Sequence, residues 1–144
     1  MDIRPLTESY AVSPQIRPED LAAIRAAGFT TIIDNRPDAE IPAELQAEAM
    51  RAAAADQGLD FVANPVIAGA LTTENVEGQR AAIAAARGPV LAYCASGNRS
   101  SVVWALASAG TRPTDDLIAL PARHGYQLEG LRPQLEALAQ TRGG

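Results

Sequence analysis

The chain has 144 residues, with 17 acidic against 12 basic side chains, a formal net charge of −5 and 47% hydrophobic residues. That length and balance predict one compact domain with a core of its own and exclude general disorder. The acidity argues against a broad electrostatic footprint for nucleic acid or an anionic membrane, leaving room for one local basic pocket. Every basic residue is arginine, so lysine Schiff-base chemistry is excluded. The single cysteine, Cys94, and the single histidine, His124, exclude an intramolecular disulfide, a cysteine-based zinc cluster and a histidine-rich metal site. No metal or other cofactor is expected. No apolar run approaches the roughly 20 residues that cross a bilayer, and the N-terminus has no signal-like apolar core. The expectation is a reduced, cytoplasmic protein, in which one cysteine is either packing or the centre of the chemistry.

Short apolar runs alternate with longer helical stretches. A strand is predicted at 10–12. Pro18 opens a helix with Glu19 and Asp20 in its first turn and Leu21 and Ile24 on its apolar side, and Gly28 stops it. The β-branched run 29–34 is a strand, broken by Asn35-Arg36-Pro37-Asp38. An alanine-rich helix follows over 40–57, then a strand over 59–63 and a loop over 64–72. Thr72 or Thr73 caps the next helix, which runs to about 87 with Glu74 and Glu77 in its first turn. The continuous apolar run 90–93 is a buried strand. Residues 100–109, apolar almost all round, form a central buried helix. Helices at 114–123 and 128–140 and a frayed tail over 141–144 complete the chain. This order gives an α/β fold: three layers, with a small, mainly parallel central sheet flanked by helices.

The segment Cys94-Ala95-Ser96-Gly97-Asn98-Arg99 joins the buried strand to the buried helix. Ligands of parallel sheets sit beyond the carboxyl ends of the strands, and the N–H groups of a tight turn entering a helix converge on an anion. Gly97 allows the positive φ such a turn requires. The same N–H array stabilises Cys94 as a thiolate, Arg99 offers a bidentate grip on an oxyanion, and Ser100 can donate its hydroxyl to the sulfur. Ser96 and Asn98 can tie the loop to itself, so residues 95–99 are the anion-binding set. Arg36, at the end of a neighbouring strand, either adds positive potential at the rim or is a solvated, paired arginine. His124 reads as a partner for a helix C-terminus. Trp104 and Tyr93 read as core.

The loop from Cys94 to Arg99, with Ser100, resembles the active-site loop shared by cysteine-dependent phosphatases and rhodanese sulfurtransferases. Together with IIDNRPDAE (32–40), GPVLAYCASGNRS (88–100), Ala109-Gly110 and HGYQLEGLRP (124–133), it makes nearly the whole chain similar to the phosphatase-like domain of the beta-lactamase-hydrolase-like proteins. That bacterial family is also labelled as sulfur transferases. The resemblance implies a cysteine-phosphatase-like fold.

Four residues, Ala95 to Asn98, separate Cys94 from Arg99. Cysteine phosphatases place one more there, whereas rhodaneses use the shorter loop, and removing a residue tightens the cradle. A phosphatase also needs a general acid, and no aspartate lies between Phe61 and Tyr93. Asp38 and Glu74 are the possible stand-ins, with Asp34 less suited. Their bland alternatives are a solvated loop charge for Asp38 and a helix-start charge for Glu74. Sulfur transfer needs no such acid. The expectation is therefore a rhodanese-type sulfurtransferase moving sulfane sulfur from thiosulfate or a persulfide, through a Cys94 persulfide, to a thiol acceptor or cyanide. With no second cysteine in the chain, an outside thiol relieves that persulfide. The alternative is a tyrosine- or dual-specificity-type phosphatase that forms a phosphocysteine from a phosphate ester. A further alternative is an anion-binding module without turnover.

Overall fold

A computed structural model describes residues 1–143; Gly144 lies outside the described residues. Five strands, β1 (Arg4–Pro5), β2 (Tyr10–Ser13), β3 (Thr31–Asp34), β4 (Asp60–Ala63) and β5 (Val90–Tyr93), make one sheet in the order β1-β2-β5-β3-β4. All neighbours are parallel except β1, which pairs antiparallel with β2 through Arg4↔Val12 and Pro5↔Ala11. At two residues, β1 is too short to leave a periodic signal in the sequence. The central strands β2, β5 and β3 are buried at every position, as parallel strands covered on both faces must be.

Strand alternation divides the core between two helical layers. Ala11, Ile32, Leu91 and Tyr93 pack against Leu21 and Ile24 of α1 (Leu21–Ala26) and Met50 and Ala54 of α2 (Ala47–Asp56). Val12, Ile33, Val90 and Ala92 face the other layer, made of α3 (Thr73–Ala85), α4 (Asn98–Ser108), α5 (Thr114–Ala122) and α6 (Arg132–Thr141). Helix α4 is central to that layer, with Trp104 stacked on Tyr10 of β2 at 5.9 Å between ring centroids. Its seven buried residues account for an apolar pattern that runs all round.

The departures from the predicted elements have local causes. The stretch predicted as one helix over 40–57 contains two 3-10 turns, Asp38–Glu40 and Ala43–Leu45, before α2 starts at Ala47. Pro42 holds Ile41 extended (φ −139°, ψ 156°) and interrupts the ladder. Helix α4 begins at Asn98 rather than at 100, so Arg99 stands in its first turn. The helix predicted over 128–140 opens as a 3-10 turn, Glu129–Leu131. Of the tail expected to fray over 141–144, Arg142 is tied to the end of α4, and Gly144 lies outside the described residues. The Arg142 guanidinium donates to the carbonyls of Leu106 (2.7 Å) and Ala109 (3.0 Å), and the Gly143 N–H donates to Gln140 O. Among the described residues, no helix is long and apolar enough to cross a membrane.

A buried polar network ties the sheet to α3 and α4. Asn35 Nδ2 donates to Asn64 O and Gln79 Oε1, both at 2.9 Å. Gln79 Nε2 donates to the Tyr10 hydroxyl (2.9 Å), which donates to Ser100 O (3.0 Å), and Ser100 Oγ donates back to Asn35 Oδ1 (2.9 Å). Asn35, Gln79 and Ser100 are fully buried, so the network's stability depends on every member finding its partner. On the opposite side of the sheet, Asp34 is also buried and accepts the Arg36 N–H at 2.9 Å. Burial pushes its carboxyl up to about 6 from an ordinary 3.8.

Two stability predictions follow from this polar interior. Gln79→Ala leaves Asn35, Asn64 and Tyr10 short of partners and should lower the unfolding free energy by roughly 2–4 kcal/mol in a urea titration. Folded Asp34 holds its proton more tightly than the unfolded chain does, so its contribution is present below about pH 4 and lost as pH rises through 6. The loss amounts to at most roughly 3 kcal/mol. Asp34→Asn should remove this slope and raise the urea midpoint at pH 7; an unchanged slope would show that Asp34 titrates normally.

Candidate active site

Alternation continues past the end of β5: Ala92 faces α4, and so does Cys94, two residues on. Cys94 is fully buried, and the Gly97 N–H donates to its Sγ at 3.1 Å. The turn that brings this amide back over the sulfur requires φ +95° at Gly97. A Cβ at this position would also collide with the Tyr126 hydroxyl. That hydroxyl donates to Ser96 O at 2.7 Å and accepts from Arg4 Nη1 at 2.6 Å, while the Arg4 guanidinium lies 5.6 Å from the Tyr126 ring centroid. From the other sides, the Asn98 N–H donates to Ser96 Oγ (3.2 Å), Ser101 Oγ donates to Gly97 O (2.8 Å) and the Gln15 N–H donates to Ala95 O (3.4 Å). Among the described residues, the Ala95 and Ser96 N–H groups have no hydrogen-bond partner, leaving two donors available to an anion.

Arg99 stands beside the sulfur. Its Nη1 donates to Glu40 Oε2 and Val66 O and its Nη2 to Glu40 Oε1, all at 2.8 Å. Arg36 joins the same carboxylate through Nε (3.2 Å) and reaches Gln15 Oε1 through Nη1 (3.3 Å). Hydrogen bonding from Arg99 first, then from Arg36, holds the Glu40 carboxyl below its ordinary range. In return Glu40, with Cys94 adding to it, pushes the Arg99 guanidinium up. The result is a half-buried arginine fork fixed by one carboxylate next to a sulfur at a helix N-terminus. Such a site can bind an anion and offer it a nucleophile.

Residues 94–99 lie together between the end of β5 and the first turn of α4, and Arg36 reaches Arg99 through Glu40. The hydroxyl of Ser100 does not join them. It is committed to Asn35 Oδ1, because the buried side of α4 turns it into the polar network rather than toward Sγ. Asp38 is not placed as an acid either: its Oδ1 accepts the N–H of Ala47, the first residue of α2, at 2.9 Å. Glu74 is exposed in the first turn of α3, among the described residues without a polar contact to the loop. Asp34 lies on the Tyr93 side of the sheet, away from the Cys94 side. The His124 ring meets Pro5 O at 2.7 Å, which ties it to β1 rather than to a helix end. Glu40, four residues from Arg36, was detectable as an ion-pair spacing. No local pattern marks Tyr126 or Gln15, since each reaches the loop only through the fold.

Residues 2–111 match the family described as Beta-lactamase hydrolase-like protein, phosphatase-like domain. Beta-lactamase hydrolase-like proteins of Xylella fastidiosa are 33% identical over 130 residues, which is 89% of this chain and 30% of theirs. The chain therefore spans under a third of the length of those relatives. A candidate phosphatase of Neisseria meningitidis is 34% identical and superposes over 96% of this chain and 99% of its own, with a TM-score of 0.80. PTPMT1 in complex with PI(5)P shares the fold over 99% of both chains, with a TM-score of 0.77 at 11% identity.

These similarities overturn the rhodanese-type reading, together with its sulfur donor and thiol acceptor. The family match and the Neisseria relative both point to phosphatases. The short loop does not by itself select sulfur: with four intervening residues Arg99 still stands in the first turn of α4, and the reversal at Gly97 still sets an amide on Cys94 Sγ. The fold is cysteine-phosphatase-like, and the chain belongs to the phosphatase-like domain family of the beta-lactamase hydrolase-like proteins.

Proposed function

We propose that residues 1–144 form a single phosphatase-like domain that hydrolyses phosphate monoesters through Cys94. The observation that carries this reading is the Gly97 N–H on Cys94 Sγ at 3.1 Å, at the N-terminus of α4, with the Arg99 fork alongside. One sheet, with its two helical layers, supports the single-domain reading. PI(5)P, bound by PTPMT1, is itself a phosphate ester.

The Cys94 thiolate attacks phosphorus. The S–P bond forms as the bond from phosphorus to the ester oxygen breaks, and the leaving oxygen takes a proton from water. A second water then adds to the phosphocysteine. The S–P bond breaks, releasing inorganic phosphate and returning the thiolate. The Ala95 and Ser96 N–H groups, the α4 N-terminus and Arg99 face the negative charge carried by the phosphoryl oxygens. Glu40 holds Arg99 in its fork geometry, and Arg36 and Gln15 hold Glu40. Glu40 is ionised at neutral pH because its pKa is lowered, so it positions Arg99 rather than donating a proton. Asp34 and Asp38 are committed elsewhere and, among the described residues, Glu74 makes no polar contact to the loop, which leaves protonation of the leaving oxygen to solvent.

Steady hydrolysis of p-nitrophenyl phosphate should fall about a thousandfold or more in Cys94→Ser, and acid-quenched wild-type protein should carry one phosphoryl group on Cys94 by mass. Ligand binding without turnover in the wild type would sink the enzyme reading in favour of an anion-binding module. Arg99→Lys should cost roughly 100-fold in kcat/KM, because an ammonium cannot reproduce the planar fork. Glu40→Gln should lower kcat/KM by roughly tenfold and act mainly on KM, with the loss relieved in Glu40→Asp only as far as the shorter carboxylate still reaches Arg99.

A further inference from the structure

Beside the loop runs a groove of about 360 Å³. Its floor is one side of α4, where Asn98, Arg99, Val102 and Leu106 follow one another at helical spacing. Val66 and Leu71 form one wall and Leu131 the other. From Asn98 to Leu106 the helix rises about 12 Å, so the floor of the groove is elongated along α4. An apolar floor of that length suits an extended hydrocarbon chain, and a single ring would cover only part of it. Among the described residues lining it, none is acidic and Arg99 carries the one charge, with Gln134 opposite.

Arg99 belongs to both places. Its first-turn position follows the Cys94 loop directly and forms the near end of the groove, with its guanidinium held by Glu40 and the Val66 carbonyl. An ester whose phosphate sits in the loop therefore meets the groove at once. At the rim stands Ile67, 61% exposed, an apolar side chain left in water beside an apolar channel. Of two other clefts, the one lined by Arg36 and Ile67 also holds Asp34 and Asp38, which set two carboxyl groups beside its arginine, and the one between β1 and α5, lined by Glu8, Arg112 and Arg123, does not touch the loop.

We infer that this groove takes the alkyl chain of the phosphate monoester, which makes amphiphilic alkyl phosphate esters the substrate class. The inference rests on the phosphate-monoester reading above. Recognition divides at Arg99: the charged head binds by hydrogen bonds in the loop, and the chain binds by burial of apolar surface along α4.

The test is titration calorimetry of full-length Cys94→Ser with n-alkyl phosphates from ethyl to decyl, below their micellar concentrations. The dissociation constant should fall roughly two- to fourfold per added methylene until the chain reaches Gln134, with a negative heat-capacity change. Val102→Asn in the same background should flatten this dependence. Leu131→Gln, on the half-exposed opposite wall, should do the same and serves if the first variant fails to fold. An affinity independent of chain length overturns the groove assignment, whatever the wild type does with p-nitrophenyl phosphate. Retained chain-length dependence, in a wild type that never turns over p-nitrophenyl phosphate, upholds the groove and overturns only the hydrolytic reading.

Discussion

The backbone reversal at Gly97 is the constraint on which the site depends. Strand β5 delivers Cys94 to the carboxyl end of the sheet, α4 must start within four residues, and a left-handed conformation at Gly97 turns the chain back soon enough to set an amide on the sulfur. Tyr126 presses on the outer side of that turn and leaves no room for a side chain. The same hydroxyl fixes the Ser96 carbonyl, beside the Ala95 and Ser96 N–H groups that have no partner among the described residues. Loop shape here is a product of packing from the C-terminal part of the chain, more than a hundred residues from the Arg4 guanidinium that holds Tyr126 in place.

Charge is arranged around this turn by pairing rather than by excess. The chain is acidic overall, yet Arg99 and Arg36 share one carboxylate, leaving the cluster of three with a net positive charge next to Cys94. Glu40 reduces the attraction for an anion but fixes the direction of the guanidinium, and direction matters more for a bidentate contact than bulk potential does. Arg99 is only 16% exposed at its side chain, so this pairing is less screened than a surface ion pair.

Behind the loop, the chain through Tyr10, Gln79, Asn35 and Ser100 links the ends of β2 and β3 with α3 and α4. It explains why Ser100, one residue after the arginine, serves the frame instead of the sulfur. Ser100 and Arg99 are adjacent in sequence, but a helix rotates successive side chains by about 100°, so one points into the core while its neighbour faces the site. The groove that begins at Arg99 continues along the same face of α4, through Val102 and Leu106.

Much of this was legible from the residues alone. Period and turn chemistry mark the buried strand at 90–93, the apolar helix after it, the glycine reversal and the Cys-to-Arg loop, because each is encoded within a few consecutive residues. Family resemblance extended that reading to the fold. What the chain could not disclose locally was partnership across distance: Glu40 on Arg99, Tyr126 on Ser96, Ser100 on Asn35, Asp38 on the first turn of α2. Counting the loop and noting an absent aspartate favoured sulfur chemistry, since both observations are local. The family match and the solved relative from Neisseria favour phosphate instead. Sequence by itself determined where Cys94 and its turn would be, through short-range steric and hydrogen-bonding rules. Only the tertiary structure decided which side chains are free to act, because a hydroxyl, carboxylate or guanidinium is free only when the rest of the fold has not already taken its hydrogen bonds.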